Sequence, residues 1–145
     1  MIANERQYRM TKTAVREFED ALAQLETVEA RRPPELRQVM REAIESQLEE
    51  LREQVAEYEA LQSGRVQVLE LNSLDELPEA LIRARIAAGL TQKELATRLR
   101  LKEQQIQRYE ATRYAGVSLD RIQSVAEALG IKIRERITLP SASGG

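Results

Sequence analysis

Two short apolar-periodic runs separated by only Arg100 and Leu101 constrain this chain more than any other feature. In "LTQKELATRLRLKEQQIQRYE", Leu90 to Glu110, the first run places Leu95, Ala96 and Leu99 on one face, and the second turns Ile106 inward. A helix of eight or nine residues cannot bury much by itself, and a two-residue break leaves no room for an antiparallel return. The two helices must therefore cross steeply, with the small Ala96 letting their axes approach. Leu95, Leu99, Leu101 and Ile106 fill that corner.

With those residues inside, the second run presents Glu103, Gln104, Gln107 and Arg108 outward. Glutamine and arginine make bidentate hydrogen bonds to base edges, and a DNA major groove admits one helix. The charge distribution agrees. The net charge of -2 conceals an acidic first half (Met1 to Gly64, 9 Lys+Arg against 14 Asp+Glu) and a basic remainder (13 against 10). Leu81 to Ala115 alone holds 8 basic and 3 acidic residues, as a polyanion-binding module needs.

This stretch resembles the Cro/cI-type helix-turn-helix, or XRE, family. "GLTQKELATRL", then Ile106, then "RYE" follow the family's sequence at its spacing, and the likeness continues through "RIAAGLTQ" upstream and "SLDRIQSVAEALGI" downstream. The resemblance implies a complete five-helix domain over 77–132. It also implies site roles. Glu103, Gln104, Gln107 and Arg108 match base-contacting positions. Gln92 matches a residue that touches a phosphate and braces the reading helix, and Lys93, Lys102, Arg113 and Tyr114 fall where backbone phosphates are contacted. Arg85 and Glu110 match a structural ion pair between the first and third helices of the domain. Two positions depart from the family: Arg100 stands where glycine is usual, in a turn expected to be left-handed, and Lys102 stands where a Ser or Thr cap is usual. Each departure is expected to cost on the order of 1 kcal/mol of local stability.

The first half has a different character. Thr11 or Thr13 is expected to cap a helix with Ala14, Phe18, Leu22, Leu25 and Val28 on its apolar face. The double proline Pro33-Pro34 stops it and opens a long helix from Glu35 to about Gln62, striped by Leu36, Met40, Ile44, Leu48, Leu51, Val55 and Tyr58. The pair predicts an antiparallel hairpin over 1–64, too thin to hold much core, and so suited to pairing with a second copy or to binding a basic partner protein. Ser73 with Glu76 has capping-box spacing ahead of the next helix, which Gly89 is expected to end. Period-two apolar patterns in "RVQVLELNS" (65–76) and "IKIRERITLP" predict short flanking strands, the second within 133–145 and followed by a flexible tail. The expected fold is thus mainly α: a coiled-coil-like hairpin, a linker, a helix-turn-helix domain and a short terminal segment.

Composition excludes much else. Cys and His are both absent, which removes the usual zinc sites, thiol nucleophiles and imidazole bases, and no carboxylate, Lys or Ser constellation replaces them. Neither an enzyme nor a cofactor is expected. No apolar run approaches the roughly 20 residues that span a bilayer, so a cytoplasmic location and no membrane partner are expected. The leading expectation is a sequence-specific DNA-binding regulator, a repressor acting as a homodimer on a palindromic operator whose half-sites lie about 34 Å apart. "NERQYRMTK" followed by an acidic hairpin is similar to HigA-type antitoxins, which implies a toxin partner and autoregulation. The alternative is an oligomeric adaptor in which both halves bind proteins and not DNA.

Overall fold

The computed structural model describes residues 1–27 and 31–142. Val28 and the last three residues of the tail lie outside them. Helix α1 spans Glu5–Glu26 and helix α2 spans Pro34–Gln62. Contacts from Tyr8 to Glu59, from Arg52 to Glu19 at 3.4 Å and from Arg41 to Glu26 at 2.6 Å run in opposite directions along the two helices, so the pair is an antiparallel hairpin. Leu25 and Leu48 are its fully buried side chains, and Leu36 and Val39 remain exposed near the tip.

The first helix starts earlier than the threonines suggest. Asn4 is the cap: its side chain accepts from the Gln7 amide at 2.8 Å, and the Gln7 side chain accepts from the Ala3 amide at 2.8 Å. This reciprocal arrangement satisfies two amides that helix geometry leaves without partners. The Thr11 and Thr13 hydroxyls instead bond back to the carbonyls of Gln7 and Arg9 inside the helix. At the other end of the loop, Pro34 occupies the first turn of α2, where its missing N–H costs nothing.

After the hairpin come a 3-10 turn at Leu74–Glu76 and four α-helices: α3 (Leu77–Ala87), α4 (Gln92–Leu99), α5 (Glu103–Ala111) and α6 (Leu119–Leu129). Glu76 is not the partner of a Ser73 cap; its carboxylate accepts from the Asn72 amide at 2.7 Å. Gly89 and Gly130 follow α3 and α6 at φ 74 and φ 70, a left-handed conformation that glycine adopts without a Cβ penalty.

Two expectations are corrected. Among the described residues there is no strand: 65–71 and 131–140 run without regular structure, and Val68, Ile137 and Leu139 are 75%, 83% and 78% exposed. Period-two alternation supplies a face, yet a strand also needs a neighbouring ladder, and neither segment has one. The fifth helix of the domain is also missing, because the sequence after Gly130 alternates at period two and reaches Pro140. The core is completed from elsewhere. Ile2, Tyr58 and Leu61, at the base of the hairpin, join Leu81, Ile82, Ile86, Leu95, Ile106, Val125 and Leu129 in one buried cluster.

Candidate nucleic-acid interface

Helix α4 begins with a capping box. The Thr91 side chain accepts from the Glu94 amide at 3.0 Å, and Glu94 accepts from the Thr91 amide at 3.2 Å. It ends at Arg100, which takes φ 57 and ψ 39, while the amides of Arg100 and Leu101 return to the carbonyls of Thr97 and Ala96 at 3.2 and 2.8 Å. The turn is left-handed in the place where the sequence has arginine and not glycine. Lys102 has no side-chain oxygen to cap α5, and Gln105 takes over part of that task by accepting from the Lys102 amide at 3.0 Å. Ala96 and Ile106, 2% and 0% exposed, lie in the same buried cluster.

This packing fixes which face of α5 looks outward. Glu103, Gln104, Gln107 and Arg108 are all exposed and share one side of the helix. The Gln107 amide lies 3.5 Å from Glu103 Oε1, at the limit of a hydrogen bond. Lys93 and Lys102, at the starts of α4 and α5, are exposed beside this face. Arg113 is half exposed, 3.4 Å from Glu79.

Behind α5 lies a buried polar cluster. Arg85 Nε donates to Glu110 Oε2 at 2.6 Å and Arg85 Nη2 to Glu110 Oε1 at 2.9 Å, with both side chains 3% exposed. Arg85 Nη1 donates to the Leu90 carbonyl at 2.8 Å, and Nη2 also donates to the Ala3 carbonyl. Gln92 Nε2 donates to Glu110 Oε1 at 3.0 Å. A guanidinium has five N–H donors in a fixed fork, and three separate parts of the chain, Glu110, Leu90 and Ala3, converge on this one.

Two side chains expected at a DNA backbone sit elsewhere. Gln92 is 8% exposed and its amide is committed to Glu110, so it braces α5 and does not project from the surface. Tyr114 is 4% exposed, tilted against Tyr109 at a ring-centroid distance of 5.5 Å, and its hydroxyl is buried with no hydrogen-bond partner. Arg113 and Tyr114 both take left-handed backbone, φ 54 and φ 56, and this folds the loop inward and sends the tyrosine ring into the core. Burial, then the nearby Glu110 carboxylate, push the Tyr114 hydroxyl far above its ordinary pKa. Burial also raises the Tyr58 hydroxyl, whereas Tyr8 is pushed up to about 12 chiefly by its hydrogen bond to Glu59.

With the crossed pair, the outward polar face and its buried brace in place, residues 81–136 match the family described as helix-turn-helix. The segment is similar to the Cro/cI-type helix-turn-helix. In that likeness α4 corresponds to the supporting helix and α5 to the helix that such domains present to DNA. No curated protein and no solved structure matches the chain.

One contributor to the buried polar cluster has a sequence signal at the N-terminus. Asn4 with Gln7 three residues on is a capping pair, and it fixes the start of α1 so that Ile2 and Ala3 lie against the helix-turn-helix. Nothing in the sequence signals the Ala3 carbonyl as a partner of Arg85.

Among the described residues no cluster of metal-ligating side chains occurs, and no helix is long and apolar enough to cross a membrane.

Proposed function

We propose that this chain is a sequence-specific transcriptional regulator, a repressor that binds a palindromic operator as a homodimer. The observation that carries the reading is the state of α5: four long polar side chains, Glu103, Gln104, Gln107 and Arg108, exposed on one side, with the opposite side locked by Ile106 and the Arg85–Glu110–Gln92 cluster. A helix held this rigidly loses little entropy on docking, and its side chains match the donor and acceptor pattern of base edges. Lys93, Lys102 and Arg113 supply cationic flanks for phosphates on either side of the groove.

Fluorescence anisotropy of the full chain on its own upstream DNA and on a scrambled duplex of equal length, each at two salt concentrations, tests this. Tighter binding to the upstream DNA that persists at the higher salt supports it. Equal and steeply salt-dependent binding to both duplexes means electrostatic contact only, and no binding to either favours the adaptor. The autoregulating antitoxin form of this function is supported by the resemblance of "NERQYRMTK" and the hairpin to HigA-type proteins. Co-purification of the product of a neighbouring reading frame is its test.

A further inference from the structure

The acidic balance of the first half is uneven along the chain. Residues 1–16 hold Arg6, Arg9, Lys12 and Arg16 against Glu5 alone, whereas residues 17–64 hold 5 basic and 13 acidic side chains. The hairpin therefore begins as a cationic segment, and its acidity lies beyond it. Glu5 is engaged by the Tyr58 hydroxyl, which donates to its Oε2 at 3.4 Å. Arg6 and Arg9 are exposed, and among the described residues their side chains form no hydrogen bond or ion pair.

This segment starts where the hairpin is tied to the helix-turn-helix. Arg85 Nη2 donates both to the Ala3 carbonyl and to Glu110 Oε1, and the same carboxylate oxygen accepts from Gln92 Nε2 at 3.0 Å. Two hydrogen bonds in series hold the Ala3 carbonyl within about 6 Å of that oxygen. Arg85 Nη1 takes the Leu90 carbonyl at 2.8 Å, one residue before the Thr91 cap of α4. One guanidinium thus holds the start of α1 beside the start of α4.

Both starts carry an exposed cation. Arg6 follows the Asn4 cap by two residues and Lys93 follows the Thr91 cap by two, so each stands in the first turn of its helix. The dipole there is positive and disfavours a cation, while an anion between the two helix starts is favoured by both dipoles and both side chains. Glu94, the acid in the same turn of α4, is turned back onto the Thr91 amide.

We propose that the first turns of α1 belong to the DNA interface, with Arg6 and Arg9 contacting the phosphate row that the start of α4 meets. This rests on the proposed function, in which α5 enters the major groove and the helix before it crosses the backbone. Each strand carries a phosphate about every 3.4 Å along the axis, so a cation beside the first turn of α4 has further phosphates within reach. An acidic protein would meet the same cations; the tie to the start of α4 favours DNA. Such contacts add affinity and fix register, and the choice of bases stays with α5. They end with Arg9. Lys12 lies over the Tyr8 ring at 5.3 Å, and Arg16, which donates to Thr13 at 3.4 Å, is about 15 Å beyond Arg6 by helical rise, more than the ~8 Å Debye length at physiological salt.

Anisotropy titrations of the full chain over a series of salt concentrations, on the upstream and the scrambled duplex, test this. The slope of log affinity against log salt should become shallower in Arg6→Gln/Arg9→Gln by about 1.8 for each bound copy, about 0.9 per lost phosphate contact. Both duplexes should lose affinity alike, by roughly fivefold or more at low salt. Arg6→Lys/Arg9→Lys keeps the charges and should keep the slope, and Arg16→Gln should leave it unchanged. Melting curves of all variants should match the unmodified chain; if the double glutamine variant melts lower, the single variants carry the test at about 0.9 each.

An unchanged slope in the glutamine variants overturns the inference, leaves DNA binding by α5 standing and frees these cations for an acidic partner protein. An equal loss in Arg16→Gln also overturns it, since general attraction and not contact at the helix start would then be at work. If the unmodified chain binds neither duplex, the proposed function and this inference fall together.

Discussion

Arg85 and Glu110, 25 residues apart in sequence, form a two-pronged ion pair at 2.6 and 2.9 Å with almost no exposure to solvent. Leu90, Ala3 and Gln92 add further hydrogen bonds to the pair, so the charges are both paired and hydrogen-bonded. The pair ties α3 to the back of α5, and through Ala3 it also ties the start of the hairpin to both. Removing one partner leaves a buried charge alone. Arg85→Met or Glu110→Leu is expected to cost about 3–5 kcal/mol in urea denaturation, and the double variant clearly less than the sum of the two.

The Tyr114 hydroxyl gives the opposite expectation. It is buried without a partner, so Tyr114→Phe removes a desolvated donor while keeping the ring, and should stabilise the fold by about 1 kcal/mol. The pH dependence follows from the same burial. Because the folded-state pKa is raised above the ordinary 10.0, the tyrosine's share of stability is complete below pH 10 and is lost as pH rises toward the folded value. Melting curves across the alkaline range should show a shallower decline for the phenylalanine variant, with Tyr8 and Tyr58 accounting for part of what remains.

Arg100 holds the helix-turn-helix corner at φ 57 with a side chain that disfavours that conformation. Arg100→Gly keeps the turn and relieves the Cβ, and is expected to raise stability by about 1 kcal/mol. Thermal denaturation checks this. A loss of stability would mean that the arginine side chain contributes more through its contacts than its backbone costs.

The side chains of Gln104 and Arg108 are exposed on α5 and form no hydrogen bond or ion pair among the described residues, so replacing them separates DNA binding from folding. Gln104→Ala and Arg108→Ala are each expected to weaken operator binding by about 1–3 kcal/mol, roughly 5- to 150-fold, at unchanged melting temperature. Anisotropy on specific and scrambled duplexes measures both the loss and whether it is confined to the specific site.

The shared core makes a prediction about truncation. A fragment covering 77–142 loses Ile2, Tyr58 and Leu61 from the buried cluster that also holds Leu81 and Ile82. It should lack a cooperative thermal transition under conditions where the full chain melts sharply. In the full chain, Ile2→Ala should cost about 2–4 kcal/mol, as a buried aliphatic truncation does.

The local rules decided a great deal from sequence alone. Three- and four-residue spacing placed the six helices of the described residues. Pro34 marked the start of α2, Gly89 and Gly130 marked two stops, and Ala96 with Ile106 told which face of α5 had to turn outward. Each of these follows from forces acting within one helix or across one short turn, where sequence distance and spatial distance are nearly the same. What joined the halves was invisible at that range. That Ile2 would enter the core of a domain eighty residues away, that the Ala3 carbonyl would meet Arg85, that Tyr114 would turn in and that neither alternating segment would find a ladder all depend on which surfaces come together after the helices exist. Burial and hydrogen-bond satisfaction are settled by the whole packed arrangement, and the tertiary structure alone supplied it.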